Sequence, residues 1–528
     1  MSVQVESNID HSVIDRLRSV VGAEHVLTAE RERDYFSRDL SYLPFSSATA
    51  VVQPATVEEL SAVVREVTGA GFAVIPRGGG MSYTKGYTPD REATISVDTR
   101  RLDRIVEINT EDMYVTVECG CTWKQLYEAL RDKGVRTPYY GPLSGMFATV
   151  GGALSQNSLF LGSGIYNTVA ESVLGLEIVT ANGSLVRTGS WAHKNSNPFY
   201  RHFGPDLTGI FTADTGALGF KARATLRLVK FPKVTATMSF AFDTLDQMLN
   251  TQTELARLRI AAECYGFDPY YNAGFEKLGF TFKQGLSTLA GVARKGGLWR
   301  TLKVALAGQK VLKDIKYSLH MTFEAHNAVV ANEHMEMGRE ICEANGGIEI
   351  DNSIPTVFNS VPFDGVSSVI LGSDGEIWLP IHCFIPLSRA REMGGLIEKY
   401  FADNKELMDK HNIRTSYLTC FSGSEFVIEP SFYWYDEVQE FRLDKLEEKN
   451  REKWSGRSKD MDSREIALKL RDGLRDIFFE HGACHLQIGR YYPYREAMNN
   501  DGLWNLLEAV KSHLDPDRLM NPGSLGLR

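Results

Sequence analysis

Residues 75–87, "IPRGGGMSYTKGY", place Gly78, Gly79 and Gly80 in a row directly behind a short apolar run. Three successive residues without a Cβ mark either a tight turn or main-chain N–H groups converging on an anion. The flanks narrow the choice. Upstream, "QPATVEELSAVVREVTGAG" has the pattern of a capped helix. Thr56 stands as N-cap, Glu59 completes a capping box, and Leu60, Val63, Val64 and Val67 share one face. Gly69 and Gly71 stop it. "FAVIP" then reads as a short buried strand and "ATISVD", beyond the loop, as a second, β-branched one. The glycines therefore lie between two strands.

That placement removes two familiar phosphate loops. A dinucleotide fingerprint needs G-x-G-x-x-G opening a helix, yet Tyr83 stands where the third glycine belongs and a strand follows. A nucleoside-triphosphate loop needs Gly-Lys-Ser/Thr, which is absent here. What remains is a strand–loop–strand anion cradle. In it the N–H groups of Gly78 to Tyr83 would converge on a pyrophosphate, with the Ser82 hydroxyl as an extra donor. A ligand-free glycine hairpin stays open for this loop taken alone. Two further segments favour a ligand. Residues 141–168, "GPLSGMFATVGGALSQNSLFLGSGIYNT", form a long polar stretch with aromatic and aliphatic residues but little charge. It runs into "LEIVT" and "SLVRTG", a predicted hairpin around Asn182–Gly183. Residues 206–229 are again punctuated by glycine and lead into a strand. Three glycine-rich loops feeding strands suggest an extended ligand held largely by main chain.

Length and composition set the frame. A chain of 528 residues, 43% hydrophobic and 24% charged, predicts two or three globular domains. Its 58 basic and 67 acidic residues give a net charge of −9, which disfavours nucleic acid as a partner. The polar, acidic start predicts no secretory leader, and no apolar stretch approaches the roughly 20 residues of a spanning helix. Seven cysteines, mostly inside apolar strings, read as buried thiols of a reducing cytoplasm. Cys119 and Cys121 have no second pair at zinc spacing, so no metal site is expected.

With these loops in view, residues of about 40 to 230 resemble the flavin domain of the vanillyl-alcohol oxidase / para-cresol methylhydroxylase superfamily. The likeness runs through "VVQPATVEELSAVV", "PRGGGMSYTKG", "YVTVECGCTWKQLYEAL", "TVGGALSQN", "VLGLEIVTANGSLVRTG" and "GIFTADTGALGF", and resumes in "LDPDRLMNPGSLG". The resemblance implies an α+β fold: a two-part FAD-binding domain (1–234, with a helical lead-in 1–45), an α+β cap (235–478) and a returning C-terminal segment (479–528). It also implies FAD. Pro76, Arg77, Gly78, Gly79, Gly80, Met81 and Ser82 would cradle the pyrophosphate. Pro142, Thr149, Gly151, Gly152, Ser155, Gln156, Asn157 and Thr168 would line the ribityl and ring region. Gly216, Gly219, Phe220, Asn521 and the backbone at Ile178 and Val179 would enclose the rest. Members with an Arg-Ser-Gly-Gly-His loop attach the flavin through that histidine; Gly80 stands there in this chain, so that linkage is ruled out. Attachment through the cap stays open.

The resemblance offers two substrate branches. Relatives acting on D-2-hydroxy acids carry a Gly-His-x-Gly-Asp-Gly-Asn-x-His strand and a Glu-His-Gly-x-Gly loop. This chain has "IWLPIHCFIPLSRA", with His382 alone, and "HGACHLQIGRYYPY". The phenol-oxidising branch fits better. Tyr83 matches its substrate-binding loop tyrosine, and "ACHLQIGRYY" resembles its Thr-His-Leu strand. Its Tyr-Arg pair is replaced at positions 483–484 and its flavin-side aspartate by Thr168. From chemistry alone, hydride loss to a flavin needs a group that takes or stabilises a hydroxyl proton. Tyr83, His382, His485, Arg490 and Tyr491 are the candidates. As a strand, "HLQIGRYYPY" would put His485, Gln487 and Gly489 on one face. The expected activity is oxidation of an aromatic alcohol or para-substituted phenol, with oxygen or another electron acceptor. A D-2-hydroxy-acid dehydrogenase and an ether-lipid-synthase-like flavoenzyme at a membrane surface are the alternatives. Residues 281–313 hold seven basic and no acidic residues. They read as a solvated cap face, with peripheral membrane contact as the other reading. A homo-oligomer stays open.

Overall fold

The computed structural model describes residues 11–277, 315–363 and 370–528. The basic segment 281–313 lies outside the described residues. Helix Val57–Gly69 buries the predicted stripe of Leu60, Val63, Val64 and Val67. Its Thr56 hydroxyl accepts the Glu59 N–H at 3.1 Å, while the Glu59 carboxylate accepts from Ala55 at 2.7 Å, one residue before the N-cap itself. The helix leads into a four-stranded sheet ordered Val26–Leu27, Ala50–Val52, Thr94–Asp98, Ala73–Arg77. The last three strands are parallel, with Pro76 opposite Val97 and Arg77 opposite Asp98. The glycine loop thus leaves the carboxyl edge of a parallel sheet, where open α/β sheets hold ligands.

A second, antiparallel sheet runs Ile105–Asn109, Tyr114–Glu118, Phe220–Arg227, Val173–Val179, Leu185–Arg187. The Asn182–Gly183 turn closes its last hairpin: Thr180 donates to the Ser184 carbonyl at 3.0 Å, and Gly183 has φ 78°, which a Cβ would disfavour. The cap is an eight-stranded antiparallel sheet including Val234–Phe242, Tyr317–Ala325, Glu263–Phe267, Arg414–Ser422 and Glu425–Trp434. Its side chains form one continuous apolar cluster with the helix Met461–Glu480 and with Tyr83 of the glycine loop. Burial therefore joins the cap to the loop directly. After helix Asp501–Leu514 the chain returns to the first sheet, where Leu519 accepts from the Val74 N–H at 2.8 Å and Asn521 donates to the Val74 carbonyl at 2.9 Å.

One expected element differs. Residues 485–494 form no strand; the only pairing nearby is a single bridge between Phe384 and Cys484. Gly489 at φ 61° and Pro493 interrupt extended backbone, and the segment's side chains are tied to carbonyls of other loops.

Candidate active site

The glycine loop walls one side of a partly open cavity. Its glycines are required by close approach. A Cβ on Gly79 would lie 1.8 Å from the Phe147 carbonyl oxygen, and one on Gly78 would lie 2.3 Å from Thr149 Oγ1. The backbones of the loop and of residues 147–149 are therefore in contact, leaving bare N–H groups at the rim. The opposite wall comes from helix Val150–Ser155, capped by Thr149, whose hydroxyl accepts the Gly152 N–H at 3.2 Å. Gln156 Oε1, in the cavity lining, is buried without a partner in the protein. Main-chain donors at a glycine turn and an orphaned amide oxygen fit FAD, whose phosphates take N–H donors and whose ring edge carries N–H and carbonyl groups.

Most expected cofactor residues do line this cavity: Pro76 through Ser82, Pro142, Thr149, Gly151, Gly152, Ser155, Gln156, Gly219 and Phe220. Others stand one layer back. Gly216 abuts Pro76, and Ile178 and Val179 support Gly219. Asn521 donates to the carbonyls of Gly86 and Thr215. Asn157 and Thr168 are near in sequence but do not form the wall. Lys221 lines the wall and is paired with Asp214 at 2.5 Å, so its charge is already matched.

Beside the cradle, Tyr83 turns into the cap. Its ring is 4% exposed, edge-on to Trp378 with centroids 5.6 Å apart and to His382 at 6.0 Å. Its hydroxyl donates to Glu429 Oε2 at 2.8 Å. Burial pushes the Glu429 carboxyl up to about 7, opposed by the Tyr83 hydrogen bond. Arg471 donates from Nε to the Pro380 carbonyl at 3.0 Å and from Nη2 to the Tyr83 carbonyl at 2.8 Å. Its Nη1 is buried without a partner. His382 is fully buried, neither ring nitrogen has a partner, and desolvation holds its pKa far below the usual range. His485, lowered to about 4 by burial, meets the His382 carbonyl through Nδ1 at 2.8 Å and stacks on Tyr492 at 3.5 Å. Both imidazoles are thus neutral at physiological pH. The cluster holds a carboxylate poised near neutrality, a phenol on it, and an unmatched guanidinium donor.

Tyr83, His382 and His485 are brought together; the other two catalytic candidates are engaged elsewhere. Arg490 is committed to structure. It donates to the carbonyls of Pro522, Lys85 and Thr88 and to Asn521 Oδ1, which fastens the C-terminal segment to the glycine loop. Tyr491 points the other way, donating to Asp472 at 2.9 Å over the Arg471 guanidinium, while its neighbour Tyr492 faces the histidines. Sequence reasoning missed Glu429 and Arg471. The signals existed: "VIEPSFYW" sets one acid inside a β-branched and aromatic strand. Arg471 falls on the buried stripe Ala467, Leu470, Leu474, Phe478 of its helix, where an arginine is out of place.

Residues 48–189 match the family "FAD binding domain" and residues 399–525 the family "FAD linked oxidases, C-terminal domain". Among curated proteins the chain is similar to a probable mitochondrial D-lactate dehydrogenase of Danio rerio, 33% identical over 257 residues, which are 47% of this chain and 50% of that protein. The chain thus spans about half the length of the curated relatives it matches. Among solved structures it is similar to a substrate-bound p-cresol methylhydroxylase, TM-score 0.72 and 16% identity, covering 98% of this chain and 97% of that one. An alkyldihydroxyacetonephosphate synthase gives TM-score 0.70 at 16% identity, covering 97% and 85%. At such identity these two share the fold.

Proposed function

Because two segments of the chain match the FAD binding domain and the C-terminal domain of FAD linked oxidases, we propose that it oxidises an aromatic alcohol or para-substituted phenol. The observation that carries this reading is the Tyr83–Glu429 pair enclosed by aromatic rings beside the cofactor cradle. Bound FAD supplies a two-electron acceptor for the hydride that leaves the substrate carbon. The chain's own residues do the rest. Ionised Glu429 takes the substrate hydroxyl proton, so that the O–H bonding electrons stay on oxygen as the C–H pair departs. Tyr83 orients that carboxylate, and Trp378, His382 and Tyr492 present flat, uncharged walls that suit an aromatic ring and exclude water. The two imidazoles, held neutral, add no competing charge.

A D-2-hydroxy acid is the second reading, favoured by the D-lactate dehydrogenase and glycolate oxidase relatives. Its carboxylate would fall to the unpartnered Nη1 of Arg471. Anaerobic bleaching of the flavin by a panel of both compound classes separates them. Bleaching by D-2-hydroxy acids alone would overturn the phenolic reading.

A further inference from the structure

Lys445 follows the short cap helix Glu440–Leu443 and is only 7% exposed. Its ammonium lies 4.9 Å from the centre of the Phe147 ring and 5.0 Å from that of Phe441. Both aromatic residues touch the glycine turn. A Cβ on Gly80 would meet the Phe441 ring at 2.7 Å, and one on Gly79 would meet the Phe147 carbonyl. The ammonium thus stands behind the Phe441 ring that packs on Gly80, outside the residues that line the cavity.

No carboxylate among the described residues is within ion-pair distance of it. The two nearby acids are already matched. Asp98 holds Arg100 at 2.8 Å and Gln53 at 2.9 Å, and Asp444 holds Arg451 at 2.8 Å. The other close charges repeat its own sign: burial first, then Arg77 and Arg100, lower the Lys445 pKa to about 8. Arg77, 2% exposed, donates to the carbonyls of Phe36 and Arg38 and likewise lacks a carboxylate. Two buried cations therefore flank one glycine turn, and among the described residues neither holds a carboxylate in an ion pair, Asp98 acting on both only at longer range. An enclosed, unmatched charge is expensive, and a ligand that supplies the opposite charge removes that expense.

We propose that Lys445 is an electrostatic clamp on the FAD diphosphate, supplied by the cap to the cradle of the other domain. The proposal rests on the reading that the cavity holds FAD. It makes cofactor affinity depend on a cap residue, so that cap and cradle are joined through the phosphates as well as through apolar burial.

The test is titration of flavin-stripped protein with FAD, followed by quenching of flavin fluorescence, for the native chain, Lys445→Met and Lys445→Arg. Riboflavin, which has the ring and ribityl chain but no phosphates, is titrated alongside. The expected result is a roughly tenfold rise in the Kd for FAD in Lys445→Met, about 1.4 kcal/mol. Its salt dependence should be shallower, riboflavin binding unchanged, and most FAD affinity restored in Lys445→Arg. Circular dichroism melts of the stripped variants establish that they fold. FAD binding by Lys445→Met within twofold of native, or equal weakening for riboflavin and FAD, overturns the clamp. A native chain that binds riboflavin and FAD alike overturns the diphosphate reading of the cradle itself.

Discussion

Replacing Glu429 by Gln tests the proposed base, because it predicts two pH effects of opposite sign from one carboxyl group. Burial lifts this carboxyl from its ordinary 4.5 to about 7. A base works only when ionised, so flavin reduction by substrate should rise about tenfold per pH unit below 7 and level off above it. Stability should move the other way. Between 4.5 and about 7 the folded protein keeps a proton that the unfolded chain has lost, so stability falls as pH climbs through that window and is flat beyond it. Two and a half units at about 1.4 kcal/mol each make this contribution about 3 kcal/mol. Asp268 and Glu263, both raised to about 7 by burial, add falls of the same sign, so the Glu429 share is the difference between native and variant melts. Glutamine keeps an acceptor for the Tyr83 hydroxyl, and the fold should survive. Anaerobic stopped-flow bleaching should slow by about 10²–10⁴-fold in Glu429→Gln and lose its step near pH 7. Its melting temperature should fall less between pH 5 and 8 than that of the native chain. Reduction at more than a tenth of the native rate, with the same rise toward pH 7, would refute the assignment of the base.

Three further outcomes follow from the same geometry. Tyr83→Phe removes the hydrogen bond that opposes the rise of Glu429, so the rate step should move to higher pH and the rate at pH 7 should drop several-fold. An unmoved step in the pH–rate profile would separate the two residues. Gly79→Ala puts a Cβ 1.8 Å from the Phe147 carbonyl oxygen. Displacement of one backbone by more than an ångström should open the cradle, and the purified variant should carry less than a tenth of the native flavin absorbance. The free Lys445 ammonium, lowered to about 8, binds an anion only when protonated. Native FAD affinity should therefore decline as pH rises past 8, by about tenfold in all, and Lys445→Arg should abolish the decline over that range.

The legible parts of this molecule are those where backbone geometry writes itself into residue choice. Capping at Thr56, the Asn182–Gly183 hairpin and the triple glycine each need particular residues, and each forms where those residues stand. The wall of the cavity was legible for the same reason, since close approach selects against side chains. The proposed catalytic cluster was not. Glu429 and Arg471 lie far apart in the chain, and each looks local: one acid in an apolar strand, one arginine in a charge-rich helix. Only the cap sheet brings them to Tyr83. A cation among tyrosines suggests an anionic ligand at Arg490, whereas here carbonyl groups of two returning loops take its donors. Short-range signals carry turns and caps; they carry no information about which buried charge faces which.

The seam between the domains explains why the cluster needs no metal-like rigidity to hold its geometry. Tyr83 leaves the glycine cradle, yet its hydroxyl is fixed by Glu429 on a cap strand and its carbonyl by Arg471 on a cap helix. Arg442, also from the cap, donates to the Leu40 carbonyl of the lead-in at 2.6 Å and to the Trp378 carbonyl of its own sheet at 3.0 Å. Leu40 in turn donates to the Ser82 carbonyl at 3.1 Å. The glycine loop is therefore gripped on both sides by groups whose positions the cap sets. Main-chain carbonyls are the acceptors in four of these five contacts, so the grip depends on backbone placement more than on side-chain choice along the loop. A cap displaced by an ångström would lengthen the Tyr83–Glu429 bond beyond 3.5 Å and leave the carboxyl group without its orienting donor. On the proposed chemistry the proton acceptor comes from the cap sheet and the cofactor would lie in the cradle, and residues 82 and 83 register the one on the other.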